Sequence, residues 1–512
     1  LVCNSDNKDD AEGWDYFFHH FRVDWQGWKL LNLRLGEDIQ PTRKPKGWQS
    51  IDYLSINAGG WEHSPLPDTV LYVDDVRLVR DPVRLSVSPA QGWREDDGSV
   101  GVSYDLTVEN RSGQARSFGI RVERPEPGAF SLGGVPDRTP EIGAGGTWVQ
   151  PARLWASADA LAGRPPLSRE EYMVQVLSET PDVPGPQAVL SAAVPLPGRR
   201  HPFLFGDSAL FEQAKQRAEK YPWARDTLDA ILRQGEAALQ AELVVPDEGG
   251  QWGHHYVCKK CGTGLKSDGE KHVCKKCGAE YTGWPYDQVV ISGIHGRNWQ
   301  RVEQLGLAYA FTGNEAYAEK AREILLAYAD KYLTYPLHNV QNKLSNSAAR
   351  VFAQTLDESC SIIGVAWGYD LIYQSPCFTP EDRTAIEGKF LREVVNTIRR
   401  NDAGISNWQS WHNAGVAAVA FCLQDQELAS AALYGKSGLQ FQLDNSILPD
   451  GFWYEGTAAY HYYALDALRW TTEAARFAGI DFYKNAAYKS LYDAPILYVT
   501  PGLQFPAIND SD

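Results

Sequence analysis

Leu307-Ala308-Tyr309-Ala310-Phe311-Thr312-Gly313-Asn314 runs directly into Ala316-Tyr317-Ala318-Glu319-Lys320-Ala321-Arg322. The spacing of apolar residues predicts an apolar helix, a break at Gly313-Asn314, and a second, amphipathic helix. The pattern returns where Val416 to Leu423 leads into Glu427-Leu428-Ala429-Ser430-Ala431-Ala432-Leu433. Alternating apolar and amphipathic helices predict an α/α toroid, with inner helices buried and outer helices half exposed. A tetratricopeptide-type solenoid has a helix break like Gly313-Asn314-Glu315-Ala316-Tyr317, but the irregular spacing argues against it.

Helical periodicity begins after residue 205, with Ala209-Leu210-Phe211-Glu212-Gln213-Ala214-Lys215. Before it, from about residue 14 to 197, short alternating segments such as Val70 to Val79 and Gly101 to Val108 are separated by Gly, Pro, Asn and Asp turns. That is the pattern of β-sandwiches. We read two. Residues 1–82 form the first, whose closing Tyr72-Val73-Asp74-Asp75-Val76-Arg77-Leu78 resembles the last strand of jelly-roll carbohydrate-binding modules and whose start is expected to be truncated. Residues 83–198 form an immunoglobulin-like second, ending in the linker Pro195-Leu196-Pro197-Gly198-Arg199-Arg200. Residues 199–512 form the helical domain. The fold class expected is therefore multidomain α+β, with N-terminal β-sandwich domains followed by an α/α toroid.

A chain of 512 residues, 43% hydrophobic and 22% charged, has the composition of a globular protein with several domains. Its formal net charge of −16 argues against general nucleic-acid binding. The same charge gives no long-range attraction for a polyanion, so an acidic polysaccharide must be held by local Arg, His and amide groups. No apolar run approaches a membrane span, and no membrane partner is expected. The 17 Trp and 25 Tyr could supply aromatic platforms for sugar rings, although most are expected in the core. Because the chain opens Leu1-Val2-Cys3, we expect a leader or upstream portion to have been removed.

Cys258-Lys-Lys-Cys261 and Cys274-Lys-Lys-Cys277 form two paired knuckles separated by 12 residues, each followed by a glycine, Gly262 or Gly278. Two such knuckles can present four thiolates tetrahedrally to Zn²⁺ with no open position, which predicts a structural metal in a ribbon inserted at 254–282. Two disulfides are the alternative. The insertion should deliver Trp284-Pro285-Tyr286-Asp287 and Ile294-His295-Gly296-Arg297-Asn298 to a cleft. Cys3, Cys360, Cys377 and Cys422 have no partner spacing and read as small buried hydrophobes.

Two further stretches place ionisable and amide side chains at the start of apolar helices: Asn407-Trp408-Gln409-Ser410-Trp411-His412-Asn413, and Asp450-Gly451-Phe452-Trp453-Tyr454-Glu455-Gly456 continuing through Tyr460-His461. Helix N-termini carry free N–H groups and often open on a cleft. Together with the cysteine knuckles, His295-Gly296-Arg297-Asn298 and Arg350 to Glu358, this ordered set of motifs resembles the heparinase II/III-like and oligoalginate lyases over about residues 200–512. The resemblance implies a toroid, an incomplete (α/α)6-7 barrel here, followed by a C-terminal β-sandwich domain that this chain lacks. It also implies cleavage of uronic-acid polysaccharides, alginate or a glycosaminoglycan, by β-elimination without an organic cofactor.

In that chemistry the proton at C5 leaves only once the uronate carboxylate has been neutralised by donors, and the glycosidic oxygen at C4 then takes a proton. Tyrosine and histidine suit complementary acid and base roles. The resemblance assigns Tyr460 and His412 as the catalytic pair and Asn413 or Asn407 as the carboxylate's partner. Gln409, Trp411, Gln354, Glu358, His295, Arg297 and His461 are expected to line the substrate. Each has a structural alternative: a helix cap for Asn413, core packing for Tyr460, an ion pair for Arg297. Two other functions compete. An inverting glycoside hydrolase could draw two carboxylates from Asp450, Glu455 and Asp357, and a non-catalytic protein could bind carbohydrate alone. A substrate of this class implies a secreted or periplasmic bacterial protein. A second chain could supply the C-terminal β-domain.

Overall fold

The computed structural model describes residues 2–4, 15–21, 31, 33, 35, 38–57, 73, 76, 82–88, 90–124, 128–177 and 185–509. The chain divides into two compact units, Leu1–Ala160 with Glu170–Ala192, and Leu161–Arg169 with Ala193–Asp512.

In the first unit, β1 (Val2–Asn4), β2 (Tyr16–Phe18), β3 (Gln40–Thr42) and β4 (Tyr53–Ser55) form an antiparallel sheet in the order β3-β2-β1-β4. Its small core holds Cys3, Phe17 and Ile39, with Phe17 stacked on Trp48 at 4.2 Å. The expected strand over Val70 to Val79 lies outside the described residues except at Val73 and Val76. Next come β5 (Val83–Val87), β6 (Gln91–Arg94), β7 (Val100–Asn110), β8 (Ile120–Glu123), β9 (Ser131–Gly133) and β10 (Thr147–Ala156). A short helix α1 (Ala158–Leu161) precedes β11 (Arg169–Val176) and β12 (Gln187–Ala193). The strands make two sheets, β5-β7-β10-β9 with β6 on β7, and β12-β11-β8. Alternation buries one face of each: Ala152, Leu154 and Ala156 on β10; Tyr172, Val174 and Val176 on β11. Tyr104 on β7 donates its hydroxyl to Ser191 O on β12 at 2.5 Å, joining the two sheets.

The second unit is mostly helical. It runs through α2 (Ser208–Lys220) and α3 (Pro222–Gln240), then a three-stranded ribbon of β13 (Leu265–Ser267), β14 (His272–Cys274) and β15 (Glu280–Tyr281). There follow α4 (Tyr286–Thr312), α5 (Glu315–Lys331), α6 (Thr355–Ile372), α7 (Pro380–Ala385), α8 (Arg392–Arg399) and α9 (Asn407–Cys422). The described chain closes with α10 (Gln426–Tyr434), α11 (Leu439–Asn445), α12 (Ala458–Arg476) and α13 (Ala486–Tyr498). The break read at Gly313-Asn314 is real: Gly313 takes φ 67° and Asn314 caps α5 through Ala316 N.

Four helices pack side by side with the same polarity: α4 against α6, α6 against α9, and α9 against α12. Trp299 meets Phe352 just ahead of α6, and further along Gly306 meets Gly368. Asn401, ahead of α9, bonds Thr355, while Gly415 lies on Ser359. Asn407 bonds Glu455 and Trp411 touches Tyr463. In each pair both residue numbers rise together, so the N-termini of these helices share one end. Glycines make the approach possible, since a Cβ on Gly415 would sit 2.8 Å from Ser359 O. The helices between them return the chain, as α5 follows α4 and α10 follows α9. The chain just after the linker is fastened to α6 by buried Asp370, whose Oδ1 meets His201 Nδ1 at 2.6 Å and whose Oδ2 accepts from Phe203 N and Leu204 N. Among the described residues no helix is long and apolar enough to cross a membrane.

Candidate active site

The shared N-terminal end of α6, α9 and α12 gathers the motif residues. Ser406 caps α9 by accepting from Gln409 N, and Thr457 caps α12 by accepting from Tyr460 N. Gln354 stands at the cap of α6 without a side-chain cap bond, leaving its amide unengaged among the described residues.

His412 lies in the second turn of α9 and is 2% exposed. Among the described residues neither ring nitrogen makes a well-formed hydrogen bond, although the Asn401 main chain is close enough to draw on the ring proton. Burial lowers its pKa to about 4, against the opposing pull of the Asn401 main chain and the Asp402 carboxylate. The ring is therefore neutral at physiological pH. Trp408 stands edge-on to it at 6.2 Å. A buried polar group without a partner costs about 1–3 kcal/mol, a penalty that a bound ligand or water removes. Tyr460, in the first turn of α12, is half-buried, and its hydroxyl makes no hydrogen bond among the described residues.

The two asparagines are engaged. Asn407 Nδ2 donates to Glu455 Oε1 at 2.8 Å and Oε2 at 3.0 Å, and Trp453 Nε1 donates to the same carboxylate. Asn413 donates to Ser437 O at 2.9 Å while its Oδ1 accepts from Gln409 Nε2 at 2.9 Å; Gln409 Oε1 in turn accepts from Ala403 N. Asn413 is thus no helix cap but a brace between α9 and the turn after α10. Trp411 is buried against Tyr463, with its indole N–H unpaired among the described residues.

Three expected substrate contacts are instead fully buried and occupied by protein groups. His295 Nε2 donates to Glu248 O at 3.0 Å and its Nδ1 accepts from Tyr328 Oη at 2.8 Å. Glu358 Oε1 accepts from the N–H groups of Arg350, Val351 and Phe352, and Oε2 from the Tyr332 hydroxyl at 2.7 Å. His461 Nδ1 accepts from Trp453 N at 3.1 Å and its Nε2 donates to Leu491 O at 2.9 Å. These three fix the chain at Glu248, at Arg350 to Phe352, and between Trp453 and α13, because folding uses their polar atoms on main-chain groups that would otherwise be buried unpaired. Arg297 is exposed on α4. Two residues without a role in the lyase reading, Glu455 and Trp408, stand against Asn407 and His412. The signal for both lay within the quoted motifs, and only the fold brings Glu455 onto Asn407. Of the carboxylates a hydrolase would need, Glu455 is taken up by Asn407 and Trp453, and Asp450 is held by Tyr498. Asp357 is raised to about 6 by burial and by neighbouring Glu358.

In the ribbon, Cys258, Cys261, Cys274 and Cys277 bring their sulfurs within 4.8 Å of one another. Cys258–Cys277 is 3.6 Å, Cys261–Cys274 3.4 Å and Cys261–Cys277 3.8 Å. Sulfurs at about 2.3 Å from a tetrahedral Zn²⁺ stand about 3.8 Å apart, so the quartet fits the ion, and these separations are far beyond a disulfide's. Lys260 N and Lys276 N donate to Cys258 and Cys274 Sγ, and Gly262 and Gly278 turn each knuckle at φ 69° and 68°. The Tyr281 hydroxyl, 3.2 Å from Cys258 Sγ, is the main cause that lowers this thiol to about 6. The other four cysteines divide: Cys3 and Cys422 are buried, Cys360 and Cys377 half-buried.

Residues 296–504 match the family model described as Alginate lyase, which takes in α6, α9, α12 and both motifs. An alginate lyase of Stenotrophomonas maltophilia is 34% identical over 179 residues, 33% of this chain and 24% of that protein. An exo-oligoalginate lyase of Saccharophagus degradans is 32% identical over 193 residues, 35% of this chain and 25% of that protein. The chain thus matches about a quarter of the length of these curated relatives. A crystal structure of an alginate lyase from Bacteroides ovatus covers 60% of this chain and 87% of its own at 16% identity and a TM-score of 0.42, a likeness too loose to define the fold. The resemblance read from the motifs to the oligoalginate lyases is matched by the family model and by both relatives.

Proposed function

We propose that the helical unit is the catalytic body of a polysaccharide lyase that cleaves alginate by β-elimination. The observation that carries this reading is His412, buried and neutral with neither nitrogen in a well-formed hydrogen bond among the described residues, at the same helix end as the Tyr460 hydroxyl, which those residues also leave unengaged. A neutral imidazole accepts the C5 proton. The electron pair left behind forms the C4–C5 double bond as the C4–O bond breaks, and Tyr460 gives its proton to the departing oxygen.

Neutralising the uronate carboxylate falls to the free Gln354 amide and to the N-termini of α6 and α9, whose dipoles point the same way. Asn413 and Asn407 serve by bracing this end of α9. The row of parallel helices with returning partners supports an α/α toroid, and the two facing sheets of the first unit support a β-sandwich. The cysteine quartet is assigned a structural Zn²⁺ that fastens the ribbon to the start of α4. A substrate of this kind places the enzyme outside the cytoplasm.

The test is growth of ultraviolet absorbance from the new C4–C5 double bond on incubation with alginate. The expected result is absorbance with wild type that is lost in Tyr460→Phe. Reducing ends without absorbance would replace the lyase with a hydrolase.

A further inference from the structure

Trp284 immediately precedes α4 and is 50% exposed. Around it stand Trp252, His254 and His255. Trp252 stacks on His254 at 4.5 Å and 26°, and meets His255 edge-on at 5.5 Å. His255 lies 6.2 Å from Trp284. None of these four rings belongs to the buried core, and the cluster is anchored: His255 Nε2 donates to Val340 O at 3.0 Å, and Gln251 Nε2 to Asn339 O at 3.3 Å. The loop that takes these bonds continues to α6, where Ser347 O accepts from Thr355 N.

The position of this cluster follows from the helix packing. Gly306 packs on the backbone of Gly368, which lies 13 residues beyond the start of α6 at Thr355. The start of α6 at Thr355 is therefore level with about Gly293, and the part of α4 from Tyr286 to Gly293 extends roughly 10 Å beyond it at 1.5 Å rise per residue. It projects from the end that holds His412 and Tyr460. The ribbon at its tip carries Lys259, Lys260, Lys266, Lys271, Lys275 and Lys276 against three carboxylates, Asp268, Glu270 and Glu280, in a chain of net charge −16. The four lysines of the two knuckles are exposed.

We propose that the Trp252–Trp284 cluster and the knuckle lysines form a distal subsite for an anionic oligosaccharide, a uronate chain whose reacting end reaches His412. Aromatic faces stack on sugar rings and the lysines offset the carboxylates. This rests on the lyase reading for the substrate class, but the subsite is separately measurable. Its role is to hold chains long enough to span the distance from the reacting centre, so its contribution depends on chain length.

The experiment measures KM and kcat for alginate oligosaccharides from trimer to decamer with wild type, Trp284→Ala and Trp284→Tyr, and binding of the same series to Tyr460→Phe protein by titration calorimetry. The expected result is that Trp284→Ala raises KM and weakens binding about 5- to 10-fold for the longest chains, leaves trimers and kcat unchanged, and is rescued by Trp284→Tyr. Lys259→Ala with Lys260→Ala should shift the same long chains, and a neutral glucan of equal length should bind weakly to every variant. Equal KM for every length in Trp284→Ala and wild type would overturn the subsite while leaving absorbance growth intact. Absence of absorbance growth in wild type, with length-dependent binding that Trp284→Ala weakens, would remove the lyase and leave the subsite standing.

Discussion

Asn407 donates its amide to both carboxylate oxygens of Glu455, at 2.8 and 3.0 Å, and so joins the start of α9 to the turn that enters α12. The two residues are 48 apart in sequence. This bond and the indole N–H of Trp453 on the same carboxylate make Glu455 a fastening between the helix that carries His412 and the helix that carries Tyr460.

Replacing Glu455 with Ala leaves an amide and an indole N–H without their acceptor. The expected cost is about 2–4 kcal/mol, read as a lower midpoint in thermal unfolding, with turnover falling further than stability alone explains. Unchanged turnover would show that the fastening does not set the geometry of the pair.

Glu358 and Tyr460 separate scaffold from chemistry. Glu358→Ala strips three main-chain N–H groups and the Tyr332 hydroxyl of a buried acceptor. It should destabilise by about 3–5 kcal/mol. Tyr460→Phe removes a hydroxyl with no protein partner among the described residues and should leave the unfolding midpoint unchanged while abolishing absorbance growth. Paired calorimetric scans and activity assays check both.

His412 and His295 both have folded pKa values lowered to about 4, in each case chiefly by burial. The unfolded chain, with histidines near 6.5, binds more protons between those values. Stability is therefore full above about pH 6.5 and falls as pH drops toward 4, by an amount on the order of 3 kcal/mol per histidine. His295→Gln and His412→Gln should each flatten that slope in urea titrations at a series of pH values. The acid limb of kcat/KM should lie near the His412 value, well below 6.5.

The ribbon should hold one Zn²⁺ per chain by elemental analysis. Removing it with a chelator, or replacing Cys261 and Cys274 with Ser, should loosen the ribbon and raise amide exchange over residues 254–286. Absence of bound metal together with full protection of those amides would refute the assignment.

Much of this molecule was legible in the sequence. The helix break at Gly313-Asn314 and the cap of α5 follow from local chemistry, since a left-handed glycine and an Asx cap need no distant partner. The quartet of cysteines was legible for the same reason: two short knuckles fix their own geometry. The side-chain roles within the motifs were not. His295, Glu358 and His461 read like substrate contacts, because a polar residue beside a helix start looks the same whether it faces a ligand or a carbonyl.

What the sequence determined by itself was the set of elements, the spacing of the four clustered cysteines and the identity of the chemical groups, all properties of a few neighbouring residues. The tertiary structure alone decided that α4, α6, α9 and α12 run parallel, with the N-termini of α6, α9 and α12 at one end and that of α4 projecting beyond it. It also decided that Asn413 and Asn407 are occupied and that His412 is buried with neither nitrogen in a well-formed hydrogen bond among the described residues. Those facts depend on which groups packing brings within about 3 Å of one another, and hydrogen-bond partners that are tens or hundreds of residues apart leave no periodic trace in the chain.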